Sequence, residues 1–437
     1  MAANLQLKYC ANLIQFLKNI INSENFKHRC RVSPKAFTRN RILNFTSLIL
    51  LLINLRTSSI RTEMAHFFKT WDDSDIPMDK ATSSAFSQAR LKLKPEAFIE
   101  LNGHMVRYFY NHAEVKTWFG YNLMAIDGSK LRLPNKKDIP VHFGMMYPKN
   151  GDPLPMARIS QMFDVLNKIT IDAIISPMAV GEHELASQHV LHLRPTDLVL
   201  MDRGYPAFWL FKMILAVQSG FCARISDKKW LQVKKFRESA ELEQIIDLTP
   251  TFGSKKTCRE LGLDIEPIRL RLIRVELESG ETEILITSLT DSESFPHHLF
   301  QELYHRRWPV EEDYKVMKNR LEIENWSGES VVSVEQDFYA KVFVKNLAAA
   351  LVHPLKPIIT AATAHRKHDY QINFSQVLSK IKNTVVLLFK RSDLKRLLSD
   401  FIDVLARLTE PIRTNRKNKR IKKIYGRRFY STYKAIS

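Results

Sequence analysis

Over residues 1 to about 115 the hydrophobic positions recur near every 3.6 residues and strand-like runs are few, so this stretch is expected to be almost wholly helical. Its most apolar run, residues 43 to 55, is too short to cross a bilayer and is interrupted by polar residues; a buried core helix is expected. Thr82-Ser83-Ser84 offers N-caps for a helix over residues 85 to 93, ended by Pro95. Phe86, Ala89 and Leu93 share one of its faces and leave Ser87, Gln88 and Lys92 elsewhere, an arrangement that suits a DNA-recognition helix and an ordinary amphipathic helix equally.

From Tyr121 the period changes. Residues 121 to 126 read as a buried strand ending at Asp127-Gly128-Ser129, and residues 156 to 165 and 168 to 175 as two strands joined at Leu166-Asn167. A helix over 182 to 193 leads to a second buried strand, 197 to 201, which ends at Asp202-Arg203-Gly204-Tyr205. A helix over 207 to 218 and a short strand over 222 to 226 follow. Residues 228 to 290 look β-rich, with a hairpin from 268 to 277 and 281 to 290 around Ser279-Gly280. Helical spacing returns over 304 to 318, 338 to 352 and most of 373 to 408. The order predicts an α/β protein, a mixed sheet with a β-rich insertion, flanked by helical N- and C-terminal regions.

The stretch from Tyr304 to Lys318 carries a polar row. On a continuous helix, Tyr304, Arg307, Glu311 and Lys318 fall within an arc of roughly 60°. Leu303, Val310, Tyr314, Met317 and Leu321 form the adjoining apolar stripe, so the row lies along the rim of a buried face. Glu312 and Asp313 project further round, which singles out Glu311. Pro309 lacks a backbone donor and stands between Arg307 and Glu311, where it would kink such a helix.

Composition narrows the partner. The 437 residues are 45% hydrophobic and 26% charged, enough for a large core and two to four domains, and the formal net charge is +20. Residues 413 to 434 hold many Lys and Arg and no acid, with Tyr425, Phe429, Tyr430 and Tyr433 interleaved; residues 27 to 41 are similarly basic. That mixture suits phosphate contact with base stacking. Cys10, Cys30, Cys222 and Cys258 lie far apart and read as reduced thiols of a cytosolic protein.

Asp127, Asp202 and Glu311 are the carboxylates placed by their surroundings: two at strand ends, one on a helix able to pack across the sheet. Alone, either Asp-containing turn reads as a turn and a helical Glu as a solvated face. Together they suit a hard divalent cation with open positions, and two ions about 4 Å apart can promote an in-line phosphoryl displacement. Cleavage or transfer of a phosphodiester is the expected reaction.

The row Tyr304, Arg307, Glu311, Lys318 resembles in spacing the Y-R-E-K signature of the insertion-sequence-four family of DDE transposases. Asp127 within Ile-Asp-Gly-Ser, Asp202 within Leu-Met-Asp-Arg-Gly-Tyr, the run from Arg307 to Glu312, the run Leu321-Glu322-Ile323-Glu324-Asn325 and the segment Ser84 to Arg90 extend the likeness from about residue 35 to 350. The resemblance implies an RNase H-like catalytic domain over 116–227 and 296–352, interrupted by an insertion over 228–295. A helical DNA-binding region over 1–115 precedes it, and a helical region with a basic tail over 353–437 follows. It implies that Asp127, Asp202 and Glu311 are catalytic and bind two Mg²⁺ ions, with Mn²⁺ able to substitute. It also implies that Tyr304, Arg307 and Lys318 hold phosphates near a flipped base, with Trp308 packing or stacking there. The implied activity is excision and insertion of an element through a DNA hairpin, by a homodimer on terminal inverted repeats and target DNA in a bacterial cytoplasm at the nucleoid, with no membrane. Trp230 is the one Trp of the insertion, and its context assigns it no role. Two other readings stay open: a catalytically silent, transposase-derived DNA-binding protein, and an RNase H-like nuclease that does not join strands.

Overall fold

Helical periodicity near the N-terminus becomes helices at Ala2–Ile21, Glu24–Cys30, Phe45–Ile53, Ile60–Asp72, Ser83–Arg90 and Glu96–His112. The computed structural model of the chain describes residues 2–39, 41–54, 58–149, 151–226, 230–276 and 280–412. The basic, aromatic tail at 413–434 lies outside the described residues, as do Leu55 and residues 277–279 at the expected hairpin turn.

Two compact units make up the chain. The first draws on residues 1–114, on 131–157 and on the chain from Lys315 onward. Its central element is the helix Val331–Val352, buried along most of its length and packed on Glu96–His112, Phe45–Ile53 and Phe374–Lys390. This helix is apolar and long enough to cross a bilayer, yet most of it is covered by its own unit, as a core helix would be. The apolar run at 43 to 55 forms the equally buried helix Phe45–Ile53, capped by the side chain of Asn44, which accepts from the Ser47 N–H.

The second unit, residues 115–130 and 158–314, is organised on a mixed sheet. The sheet's strands, in chain order, are β1 (Asn122–Arg132), β2 (Met145–Met146), β3 (Leu154–Asp164), β4 (Ile169–Pro177), β5 (Asp197–Met201), β6 (Gly220–Ile225), β7 (Glu243–Leu248), β8 (Ile268–Glu276) and β9 (Thr282–Thr287); β2, the last two residues of β1 and the first four of β3 are counted with the first unit. The order is β2-β3-β1-β5-β6-β9-β8-β7, with β4 also on β3. β1, β5 and β6 are parallel, while β9, β8 and β7 continue the sheet antiparallel from β6. The path β4-β3-β1-β5-β6 is the RNase H-like arrangement, and the inserted strands extend it.

Three local expectations change. β1 does not stop at Ile126 but runs on to Arg132, because it has a second partner: its ladder with β5 ends at Ile126, while bonds to the β3 side persist from Leu123 to Leu133. The Asp-Gly-Ser sequence is thus extended backbone next to an available edge and not a turn. The insertion also contains the helices Leu231–Glu238 and Phe252–Glu260 beside its strands. Finally, residues 304 to 318 are not one helix. Leu299–His305 ends in a turn at residues 306–308, and Pro309, whose missing N–H suits a first helical position, opens the helix Pro309–Asn319.

Candidate active site

Strand register brings the first two acids together. Ile126 pairs with Met201 at the last step of the parallel ladder between β1 and β5. Asp127 and Asp202 are each the next residue, so their backbones leave the ladder side by side, about 4.8 Å apart. Buried Leu, Met, Ala and Ile residues fill both strands up to that point and fix the register.

Glu311 is the third acid, carried in by the first turn of Pro309–Asn319. The Asp127 carboxyl is pushed up to about 6: burial raises it most, Arg307 and the Gly128 N–H pull against that, and Glu311 and Asp202 add to the rise as neighbouring negative charges. Burial acts on Asp202 in the same sense, but it is outweighed, and Asp202 is held below the ordinary carboxylate range by the Arg203 N–H, Arg224, Arg307 and the Tyr304 hydroxyl. Tyr304 donates to Asp202 Oδ1 at 3.1 Å. Arg307, 7% exposed, donates through Nη2 to Glu311 Oε1 at 2.6 Å, and its guanidinium lies 5.9 Å from the centre of the Tyr304 ring.

The tight connection at 306–308 explains why these groups meet although the helix is broken. Arg307, Trp308, Val310 and Glu311 each donate a backbone bond three residues back, so the chain keeps an approximately helical course through the turn. The other expected residues are placed differently. Trp308 is 46% exposed, and its Nε1 donates to Glu312 Oε1 at 3.3 Å. Lys318 lies two turns beyond Glu311 on the same helix, among residues of the first unit; burial lowers its pKa and Glu324 opposes the shift. Trp230 is 4% exposed, which closes its ring faces to a stacking base.

Several contributors escaped the sequence reading. Arg224 on β6 donates to Asp202 Oδ1 through Nε at 2.9 Å and is ion-paired with Glu283 on β9, so the inserted hairpin reaches the site through one guanidinium. No spacing rule links Arg224 to either acid; its one signal is a lone charge inside an apolar strand. Asp313 is buried, and Gln161 donates to it at 3.1 Å. Behind Asp127, the Tyr314 hydroxyl donates to its backbone carbonyl at 2.7 Å. His189 contacts Asp172 through Nδ1 at 2.7 Å and Ser160 through Nε2 at 2.9 Å. The order of that trio matches a nucleophile relay, but Ser160 is 2% exposed, so it braces β3 and does not present a nucleophile.

A divalent ion is chemically suited to this donor set: Asp127, Asp202 and Glu311 are half-buried hard oxygen donors, and the pKa of Asp127 is raised by burial first and then by its acidic neighbours. Among the described residues no three acidic, His or Cys groups are grouped tightly enough to share one ion. Instead Arg307 lies on Glu311 and Arg224 on Asp202, supplying positive charge where a cation would.

Residues 118–347, more than half of the chain, match the family described as Transposase DDE domain. The chain is 25% identical over 267 residues to transposase InsG for insertion sequence element IS4 of Escherichia coli (strain K12), covering 60% of each protein. It is 21% identical over 214 residues to the putative transposase InsZ of the same organism, covering 48% of this chain and 69% of that one. The match thus spans less than two thirds of the length of InsG. A solved piggyBac transposase synaptic complex with hairpin DNA superposes with a TM-score of 0.46 at 10% identity, over 91% of this chain and 85% of that one. By its DDE-domain match over more than half of its length, this chain belongs to the DDE transposase family, and its likeness to the IS4-element relative agrees with the expected insertion-sequence-four resemblance.

Proposed function

We propose that the chain is a cut-and-paste DNA transposase that cleaves and rejoins phosphodiesters at the ends of its own element. The observation that carries this reading is the register: Asp127 and Asp202 leave adjacent parallel strands side by side, and Glu311 acts on Asp127 as a near charge. In this reading Asp127, Asp202 and Glu311 hold two Mg²⁺ ions, for which Mn²⁺ can substitute. Ions bound there would activate a water or a 3′-hydroxyl and neutralise the leaving oxygen.

The chain's own residues position the DNA. Arg307 Nε is buried with no hydrogen-bond acceptor among the described residues, a deficit that a phosphate oxygen would fill. Tyr304, Arg307 and Lys318 hold phosphates at the element end, and the exposed ring of Trp308 offers a face for an unstacked base. A flipped base relaxes a tight hairpin, which makes a hairpin intermediate the favoured route. The acting species is a homodimer on terminal inverted repeats, in the cytoplasm.

Incubation of the full chain with MgCl₂ and duplex DNA spanning the borders of its own coding region should excise a fragment with hairpin ends. Asp127→Ala, Asp202→Ala and Glu311→Ala should each abolish cleavage and keep DNA binding; cleavage retained in all three removes the assignment. Binding by the unaltered chain without any cut supports the silent DNA-binding protein, and cuts without joining support the nuclease.

A further inference from the structure

Glu311 reaches the site on the first turn of Pro309–Asn319, and three residues later the same helix carries Tyr314. Residues three apart are neighbours on a helix face, so whatever seats Tyr314 also seats Glu311. Val310 and Tyr314 are buried, Tyr314 with 6% exposure, and supply the apolar contact of this turn. Apolar contact is non-directional, and a phenylalanine ring would serve it as well as a tyrosine ring. The hydroxyl is therefore what needs a reason. A buried phenol without a partner is costly, and this one is partnered. It donates to the Asp127 backbone carbonyl at 2.7 Å, and the backbone N–H of Gln161 on β3 acts on the same phenol. Burial first, and then the charge of Asp127, hold its pKa well above the ordinary phenol value, so the donated proton stays in place.

A second polar contact acts one residue earlier. Asp313 is buried and accepts from Gln161 Nε2 at 3.1 Å. The amide is held in that sense, because its other end, Oε1, accepts from the Thr170 hydroxyl of β4 at 3.2 Å. Gln161 and Thr170 are themselves buried. β4, β3 and the helix are thus joined in series, while Tyr314 joins the helix to β1. All of these residues, with Asp127 and Glu311, belong to the second unit.

We propose that Tyr314 is a positioning residue for the acidic site. Its hydroxyl, together with the Gln161–Asp313 contact, latches the helix that carries Glu311 to the strand that carries Asp127, and so sets the spacing of their carboxylates. The inference rests on the metal-site reading given above and names what fixes the dimensions of that site. A slip of one residue along the helix would move Glu311 by about 1.5 Å and turn it by about 100°. Two directional bonds, on residues 313 and 314, resist that slip where ring packing alone does not. Groups that orient metal ligands without touching the ion commonly control affinity or activity by about 10–100-fold.

The test reads metal binding and cleavage separately in the full chain. Free Mn²⁺ is followed by its electron paramagnetic resonance signal during a MnCl₂ titration without DNA, and single-turnover cleavage is followed on the border duplex with MgCl₂. Tyr314→Phe removes one oxygen and keeps the ring, so its Tm should fall by only roughly 2–4 °C. Its Mn²⁺ affinity should fall about 10–100-fold, and cleavage at saturating DNA should slow by a similar factor while duplex affinity is unchanged. Gln161→Leu removes the donor to Asp313 and leaves the phenol; it should move both readings in the same direction, and it carries the test if Tyr314→Phe does not fold. Tyr108→Phe, at a buried tyrosine of the first unit, should move neither. A folded Tyr314→Phe chain that binds Mn²⁺ and cleaves as the unaltered chain does overturns the latch and leaves the metal site standing. Slower cleavage with unaltered Mn²⁺ affinity also overturns it, since the carboxylate spacing would not depend on the hydroxyl. Absence of Mn²⁺ binding by the unaltered chain overturns the metal site and the latch together.

Discussion

Across the turn that separates two helices, Arg307 Nη2 lies 2.6 Å from Glu311 Oε1. The same guanidinium opposes the rise in the pKa of Asp127, which burial still carries up to about 6. Arg307 is thus the counter-charge of an acidic site that is costly to keep ionised.

That cost is measurable in the metal-free chain. Carboxyl ¹³C titration should place Asp127 near 6, and Arg307→Ala should move its midpoint upward, since the largest lowering influence is gone. A folded pKa above the unfolded value of about 3.9 destabilises the fold fully above pH 6 and not at all below both values. Asp127→Asn should therefore raise Tm at pH 7.5, by the equivalent of about 1–2 kcal/mol after solvent screening. The gain should vanish near pH 3.5. A gain that persists there would assign the effect to packing instead of charge.

Gly128 follows Asp127, and a Cβ built on it would sit 3.3 Å from the Tyr205 hydroxyl and 3.5 Å from the Ile159 carbonyl. Tyr205 is 3% exposed, so its ring has little room to yield. Gly128→Ala should slow cleavage roughly tenfold, because a displacement well under 1 Å at a reacting group is costly. Gly128→Ala/Tyr205→Phe should recover most of the rate by removing the closest atom; a double variant as slow as the single would locate the clash at the Ile159 carbonyl.

How much of this could be read from the sequence depended on whether the determining partner was near or far along the chain. Residues 197 to 201 are expected as a strand and form one with those bounds, since four apolar residues, Leu198 to Met201, between polar turns have few other uses. Asp127 and Asp202 were chosen from such local context, and the register sets them side by side. The length of β1 was not legible: Asp127-Gly128-Ser129 has turn composition, and only β3, some thirty residues on, makes it strand. The helix break was foreseeable from Pro309, and the meeting of Tyr304, Arg307 and Glu311 through it was not. Arg224 was missed for the same reason, its partners being 22 and 59 residues away.

Arg90 lies at the end of the segment Ser84 to Arg90, and its setting accounts for an arginine there. It is 3% exposed, and the Asp337 side chain it pairs with is wholly buried. Arg90→Ala leaves a buried charge without its cation and should lower unfolding stability by about 3–5 kcal/mol in urea titration. In an Asp337→Asn background the same substitution should cost clearly less, because no charge is stranded. Equal costs in the two backgrounds would assign the loss to packing against Phe86, over whose ring the guanidinium lies at 5.2 Å.

The trio Ser160, His189 and Asp172 gives a further prediction. Burial raises the Asp172 carboxyl, but the hydrogen bond and charge of His189, with help from His192, outweigh it and hold the carboxyl below its ordinary range. An anionic Asp172 accepts a hydrogen bond from His189 Nδ1–H, and Nε2 on the far side of the ring meets the Ser160 hydroxyl on β3. A depressed folded pKa stabilises above the unfolded value of about 3.9, and that contribution is lost as pH falls through the folded value. Asp172→Asn should therefore lower stability by about 1.5–3 kcal/mol at pH 7, the usual range for a hydrogen bond to a charged group. Its Tm should also fall less steeply than that of the unaltered chain between pH 4 and 2, so that the two curves approach each other in acid. Parallel curves across that window would mean that Asp172 contributes the same free energy in both protonation states. Its pairing with His189 would then be a packing contact and not an ionic one.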